Sequence, residues 1–255
     1  MRLSIIGAGN MGGAIARALA DGPYFNASDI TCTARSSETL LNLGRDFHTT
    51  TDNLQAVRTA DIVCFAVKPW LMESVVKEVV PGLDLSRQMI LSVAAGVTFC
   101  QLSEWLGTDK ATIFRVIPNT AVEIGSGVTF ISSVNASDDQ RKMILNAFTQ
   151  TGYALEVEES MMNAGTHLAS CGIAYAMKYI QAAAAGGELL GFDRQQAEKI
   201  VEYTVKGAAE LLLSTGNAPQ LEIDKVTTPG GMTQKGLAAM EEAGFSHAVL
   251  KSLQP

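Results

Sequence analysis

The chain has 255 residues, 47% of them hydrophobic and 18% charged, with a formal net charge of −7. This is the composition of an ordinary globular protein, and its acidity argues against nucleic acid as a partner. The cysteines Cys32, Cys64, Cys100 and Cys171 and the histidines His48, His167 and His247 are too scattered for a metal signature or a disulfide framework, so no metal is expected.

Met1-Arg2 leads straight into the strand-like LSIIGAG, so no secretory leader is expected. No apolar run approaches the ~18 residues of a membrane span. A cytoplasmic protein with no membrane partner is expected, and the unpaired cysteines suit a reducing compartment.

Up to YALEVEE the chain alternates short apolar runs with amphipathic stretches. RLSIIGA, ITCTAR, DIVCFAV, QMILSVAAG, TIFRVIPN, GVTFISS and YALEVEE read as strands. Helices are expected at Asn10–Asp21, Ser37–Leu43, Asn53–Arg58, Leu71–Val80, Thr98–Leu106 and Asp138–Gln150. Strands apolar throughout belong to a parallel sheet covered on both faces, which gives a doubly wound α/β domain over residues 1–158. Residues 159–255 then read as helices only: a segment near Met161–Gly191, then Arg194–Ser214, Pro219–Val226 and Met232–Ala243. The stretch IVEYTVKGAAELLL is apolar on too many faces for a surface helix. So small a region cannot enclose it, and packing against a second copy of the chain is inferred.

GAGNMG comprises Gly7, Ala8, Gly9, Asn10, Met11 and Gly12, and it lies between the first strand and the first helix. The first glycine makes the tight turn, the second lets a pyrophosphate approach, and the third permits close helix–strand packing. The helix N-terminus faces the phosphates with free N–H groups. An NAD site usually carries an acid at the end of the second strand; here TCTARSSE puts Arg35 and Ser36 there. A guanidinium and hydroxyls suit a 2′-phosphate, so NADPH is favoured, with NADH possible. The competing reading makes Arg35 a solvated charge and Ser36 a helix cap. Further candidates lie at three strand ends: Lys68 and Pro69 in AVKP, the small residues Ala94, Ala95 and Gly96 in SVAAG, and Asn119 in RVIPNT.

In this order and spacing, GAGNMG, AVKP, SVAAGVT, RVIPNT and the tail TTPGGMT resemble the pyrroline-5-carboxylate reductase family, from residue 1 to about 250. The resemblance implies an N-terminal Rossmann-type, mostly parallel sheet and a C-terminal all-helical dimerisation domain. It also implies a homodimer or an assembly of dimers, with an active site between one subunit's nucleotide domain and helices that include the partner's. By the same resemblance Asn53 touches the adenosine end of the cofactor, Ala66, Val67 and Lys68 its middle, and Ala94 and Ala95 lie near the nicotinamide. Thr228, Gly230, Gly231 and Thr233 cradle the substrate carboxylate and ring nitrogen. Thr233 is the candidate for the hydrogen bond to that nitrogen, Glu159 a weaker substrate-side candidate, and Gly231 the position of close approach and of a positive-φ turn.

The activity implied is NAD(P)H-dependent reduction of Δ1-pyrroline-5-carboxylate to L-proline. One stretch departs: the family's SGSGPAY reads ASCGIAY at Ala169–Tyr175, so the kinking proline is missing, and His167 precedes it where glycine is common. Two other readings compete. A 3-hydroxyacid dehydrogenase would carry asparagine four residues after its catalytic lysine, but Lys178 is followed by Ala182. A non-catalytic nucleotide sensor would have no reason to carry TTPGGMT.

Overall fold

The computed structural model describes residues 1–44 and 47–254, which divide into two units, Met1–Cys171 and Gly172–Pro255. In the first unit the chain runs β1 (Leu3–Ile6), α1 (Asn10–Ala20), β2 (Ile30–Thr33), α2 (Ser37–Leu41), β3 (His48–Thr50), α3 (Asn53–Arg58), β4 (Ile62–Phe65) and α4 (Met72–Val79). It continues with β5 (Met89–Ser92), α5 (Phe99–Leu106), β6 (Thr112–Pro118), β7 (Gly127–Val134), α6 (Asp138–Thr149), β8 (Gly152–Glu156) and α7 (Met162–Gly165).

Among the described residues these strands form one sheet in the order β3-β2-β1-β4-β5-β6-β7-β8. Every neighbouring pair is parallel except β6 with β7. Each residue of β1, β4 and β5 is buried, as strands covered on both faces require. One face packs on Ile15 and Leu19 of α1 and Ile144 and Phe148 of α6. The other packs on Val57 of α3, Met72 and Val76 of α4, and Leu102 and Leu106 of α5. Strand order reverses between β1 and β4, the place where an open α/β sheet leaves a crevice for a ligand.

β3 was not anticipated: three residues of HTT are too short to display a period. The helix α12 (Phe245–Ser252) was also missed.

Residues Glu159–Cys171 belong to the first unit. Gly165 sits against the Phe130 ring of β7, where an added Cβ would come within 2.7 Å of ring carbons. Thr166–Cys171, which include the first residues of ASCGIAY, form one π-helical turn. Ser170 Oγ donates to the Pro118 carbonyl at 3.1 Å, and Thr166 Oγ1 to that of Met162 at 2.8 Å. His167 is half-buried in this turn and makes no side-chain hydrogen bond among the described residues.

The second unit holds α8 (Gly172–Leu189), α9 (Arg194–Thr215), α10 (Pro219–Lys225), α11 (Met232–Glu242) and α12. α8 and α9 pack together where Gly187 faces Ala197; a Cβ on Gly187 would stand 2.9 Å from that of Ala197. Asp193 caps α9 by accepting from the Gln196 amide at 2.9 Å, and Gly216 (φ +66°) ends it. Among the described residues of this unit only Ala184 and Ala197 are buried. Leu189, Phe192, Ile200, Tyr203, Leu211 and Leu213 all stand exposed. A unit with so little interior cannot be held by its own burial. Among the described residues no helix is long and apolar enough to cross a membrane.

All four cysteines are free thiols. Burial pushes Cys32 and Cys64 up to about 12 from an ordinary value of 9.0. In the unfolded chain these thiols ionise near 9.0, while the folded ones keep their protons to about 12. The fold therefore loses stability as pH rises through that window. Iodoacetamide on the native protein should label the exposed Cys100 and spare Cys32 and Cys64 until denaturant is added. Peptide mass spectrometry checks this, and native labelling of Cys64 at the rate of Cys100 would refute it.

Candidate active site

The loop Gly7–Gly12 lies at the switch point. Gly7 takes φ +97°, and a Cβ there would stand 2.6 Å from Val67 Cγ1. Glycine is required on both counts. The amides of Gly7 and Ala8 donate to the Thr33 carbonyl at 3.1 and 2.6 Å, which turns the chain sharply off β1. Gly12 is buried, and a Cβ on it would collide with the Gly7 carbonyl oxygen, so α1 approaches β1 as closely as backbone allows. Gly9 differs: it is exposed, and a Cβ there would project into open space. Asn10, Met11 and Gly12 form the first turn of α1, whose amides have no intrahelical acceptor. An open glycine followed by a helix N-terminus fits a pyrophosphate.

Thr33 ties this loop to the expected adenosine end. Its Oγ1 accepts from the Gly7 amide at 3.3 Å and donates to Asn53 Oδ1 at 2.6 Å. Asn53 Nδ2 in turn donates to Glu78 Oε1 at 3.2 Å. Thr33 and Glu78 were not foreseen, because nothing in sequence spacing links β2 to α4. Arg35 is exposed and has no ion-pair partner among the described residues. Ser36 caps α2: its Oγ accepts from the Thr39 amide at 3.3 Å and lies 3.0 Å from Thr39 Oγ1.

Ala66 and Val67 leave β4 half-buried beside Gly7, while Lys68 and Pro69 are exposed beyond them. After β5, Ala94 is buried, so Ala95 and Gly96 (φ +78°) form the open surface of that loop. Asn119 is 7% exposed, and its Oδ1 already accepts from the amides of Ala121 and Val128 at 3.2 and 3.3 Å. The acceptor expected to meet a ligand thus holds its own turn. Glu159 is likewise engaged: its Oε1 accepts from Arg115 Nη1 at 2.9 Å and from the Phe99 amide at 2.7 Å. Arg115 was passed over because an arginine inside RVIPNT has no periodic signal.

In the second unit, Thr228-Pro229-Gly230-Gly231 form a β-turn closed by the Gly231 amide on the Thr228 carbonyl at 2.9 Å. Proline second and a positive φ third define a type II turn. The positive φ belongs to Gly230 (+72°), whereas Gly231 has φ −74°. The expectation that Gly231 carries the positive φ is therefore corrected. Gly231 is needed for space instead, since a Cβ would run into Thr228 Oγ1. Gly231 also caps α11, so the amides of Met232 and Thr233 open the helix without intrahelical acceptors. Thr233 is exposed. Gln234 was not foreseen: its Oε1 accepts from the Gly230 amide at 2.6 Å. A Gln at the third helical position was the available signal, although it reaches the amide of the residue before the N-cap rather than the N-cap amide of a capping box.

A glycine turn open to a pyrophosphate at the switch point of a mostly parallel sheet, followed by a small-residue loop at the next strand end, defines a nicotinamide-dinucleotide oxidoreductase. The profile for "NADP oxidoreductase coenzyme F420-dependent" matches residues 2–96, and that for "Pyrroline-5-carboxylate reductase dimerisation" matches residues 159–255. The pyrroline-5-carboxylate reductase of Synechocystis sp. is 32% identical over 257 residues, covering 100% of this chain and 95% of that protein. Pyrroline-5-carboxylate reductase 1 of Dictyostelium discoideum is 34% identical across 98% of this chain, which spans 48% of that longer protein. The crystal structure of Plasmodium falciparum pyrroline carboxylate reductase with NADP bound superposes with a TM-score of 0.90 at 26% identity, covering 99% of this chain and 94% of that one. The chain belongs to the pyrroline-5-carboxylate reductase family.

Proposed function

We propose that this chain reduces the C=N bond of Δ1-pyrroline-5-carboxylate to give L-proline, with the Thr228–Thr233 segment as the receptor for the substrate carboxylate. One observation carries the reading: a type II turn feeds directly into the N-terminus of α11, with the amides of Met232 and Thr233 lacking intrahelical acceptors and Thr233 exposed. Free amides and the positive end of an eleven-residue helix suit an anion, and the neighbouring hydroxyl suits a ring nitrogen.

Gly7–Gly12 would hold the pyrophosphate, Asn53 the adenosine end, and Ala66–Pro69 the middle of the dinucleotide. The reduced nicotinamide, when bound, supplies the hydride taken up by the imine carbon. The iminium proton stays on the ring nitrogen, which becomes the secondary amine, so the protein need supply no strong acid. Its task is orientation, with Thr233 Oγ1 holding the nitrogen and the helix N-terminus holding the carboxylate. Ala95 and Gly96 would present a flat surface to the nicotinamide. Asn119 and Glu159 would act through the turns they hold. NADPH oxidation measured with pyrroline-5-carboxylate, beside NADP⁺ reduction with 3-hydroxy acids, tests the reading; turnover of the hydroxy acids alone would reject it.

Preference for NADPH over NADH rests on Arg35, exposed just beyond β2 where no carboxylate is placed to repel a 2′-phosphate. Ser36 would contribute only by sharing a hydroxyl already used as a cap. Arg35→Ala should weaken NADPH by roughly 1–3 kcal/mol, about 5- to 150-fold in Kd, and leave NADH nearly unchanged. Equal losses for the two cofactors, read by fluorescence titration, would rule out a phosphate contact. We also assign the chain to homodimers, alone or in assemblies of dimers, on the open apolar faces of α8 and α9. A cytoplasmic setting suits its four free thiols.

A further inference from the structure

Arg115 lies in β6 opposite Ser92 of β5 and Ser132 of β7, on the sheet face that α5 covers. The adjacent inward positions on β6, Ile113 and Ile117, are apolar and buried. Arg115 is itself only 4% exposed. Its Nη1 reaches Glu159 Oε1, and its Nε has no hydrogen-bond partner among the described residues. A buried guanidinium with an orphaned donor is a poor way to stabilise a sheet, because apolar residues of similar volume usually do as well or better. A stability role therefore does not account for this residue.

The anion it pairs with offers another account. Glu159 Oε1 also accepts from the amide of Phe99, the first residue of α5, where a negative charge is favoured. Only Val97 and Thr98 separate Phe99 from Ala94–Gly96, and the loop's own hydrogen bonds are long. The Ala94 amide reaches Ser92 Oγ at 3.4 Å, the Val97 amide reaches the Ala94 carbonyl at 3.4 Å, and Gly96 sits at φ +78°. β5 anchors one end of the loop; at the other, the Thr98–Gln101 capping box and the Glu159 carboxylate together hold the start of α5.

We infer that Arg115 and Glu159 form a positioning pair that sets the Ala94–Gly96 loop for hydride transfer, Glu159 acting through the Phe99 amide and Arg115 fixing Glu159. The inference rests on the assignment of that loop to the nicotinamide. Neither residue touches the substrate.

The test compares Glu159→Ala, Glu159→Gln and the double variant Arg115→Met/Glu159→Ala in kcat, KM and melting temperature. Glu159→Ala should lower kcat by about 100-fold, the scale of a 1 Å misplacement, with KM for pyrroline-5-carboxylate within about threefold of wild type. Glu159→Gln keeps an acceptor for both partners and should recover most of the rate. The double variant leaves no unpaired buried charge, so it should regain melting temperature while kcat stays low. Recovery of kcat together with melting temperature would reduce the pair to a structural one. A raised KM with kcat intact would make Glu159 a substrate contact. Either result overturns the inference.

A second readout does not depend on the substrate assignment: the rise in nicotinamide fluorescence when NADPH binds. It should fall severalfold in Glu159→Ala at a Kd within about threefold of wild type, since the phosphate loop supplies most of the affinity. An unchanged rise would overturn the inference even if wild type failed to reduce pyrroline-5-carboxylate, and that failure alone would overturn only the substrate.

Discussion

Gly231→Val should lower kcat/KM for pyrroline-5-carboxylate by about 100-fold while the NADPH dissociation constant stays near that of wild type. The side chain has nowhere to go, because a Cβ at Gly231 runs into Thr228 Oγ1 and comes within 3.0 Å of the Thr228 carbonyl oxygen. The turn must open to admit it, and the α11 amides then leave the positions proposed for holding the substrate carboxylate. Thr233→Ala makes the milder counterpart: it removes one hydroxyl and should cost roughly 1–3 kcal/mol in kcat/KM, a factor of about 5 to 150. Gly230→Ala separates backbone strain from occlusion. At φ +72° it should lower stability by about 1–2 kcal/mol, with a Cβ that meets nothing within 4 Å. Kinetics beside melting curves decide the matter. Unchanged kcat/KM in both Gly231→Val and Thr233→Ala would end the substrate-loop reading.

Ile200→Glu should dissociate the assembly and abolish activity at ordinary enzyme concentrations. Ile200 and Tyr203 are 49% and 63% exposed and share an apolar groove with Phe192. Each large apolar side chain buried in a dimer contributes about 1.5–3 kcal/mol, and a carboxylate buried without a partner adds several kcal/mol of opposition. A combined change of roughly 3–5 kcal/mol weakens association by about 100- to several-thousand-fold. Light scattering reads the mass and NADPH oxidation reads the activity. A wild-type chain active as a stable monomer, or a variant with unaltered mass and rate, would remove the dimer from the account.

Much of the first unit was legible because local chemistry and global fold agree there. GAGNMG after an apolar run, ITCTAR, DIVCFAV and SVAAG each carry enough period or glycine signal to place a strand end, and strand ends are where a parallel sheet keeps its ligands. The many-sided apolar character of IVEYTVKGAAELLL was equally legible, and in the structure that stretch has no buried residue. The misses have a common cause. HTT of β3 is a strand only because β2 lies beside it, with His48 paired to Thr31 and Thr50 to Thr33. ASCGIAY has no proline, and its first three residues lie in a π-helical turn anchored by Ser170 on Pro118, a contact across 52 residues of chain.

The roles of individual polar residues divide along the same line. The sequence by itself determined that a dinucleotide turn, a small-residue strand end and a Thr-Pro-Gly-Gly loop exist, because glycine, proline and alternating polarity act through neighbours a few residues away. Only the tertiary structure decided which of two adjacent glycines takes the positive φ. It likewise showed Asn119 Oδ1 committed to its own turn and Glu159 bound to a buried Arg115 44 positions away. Backbone preference is a property of a short stretch of chain. The partner of a side-chain oxygen depends on which strands lie side by side, and long-range packing sets that.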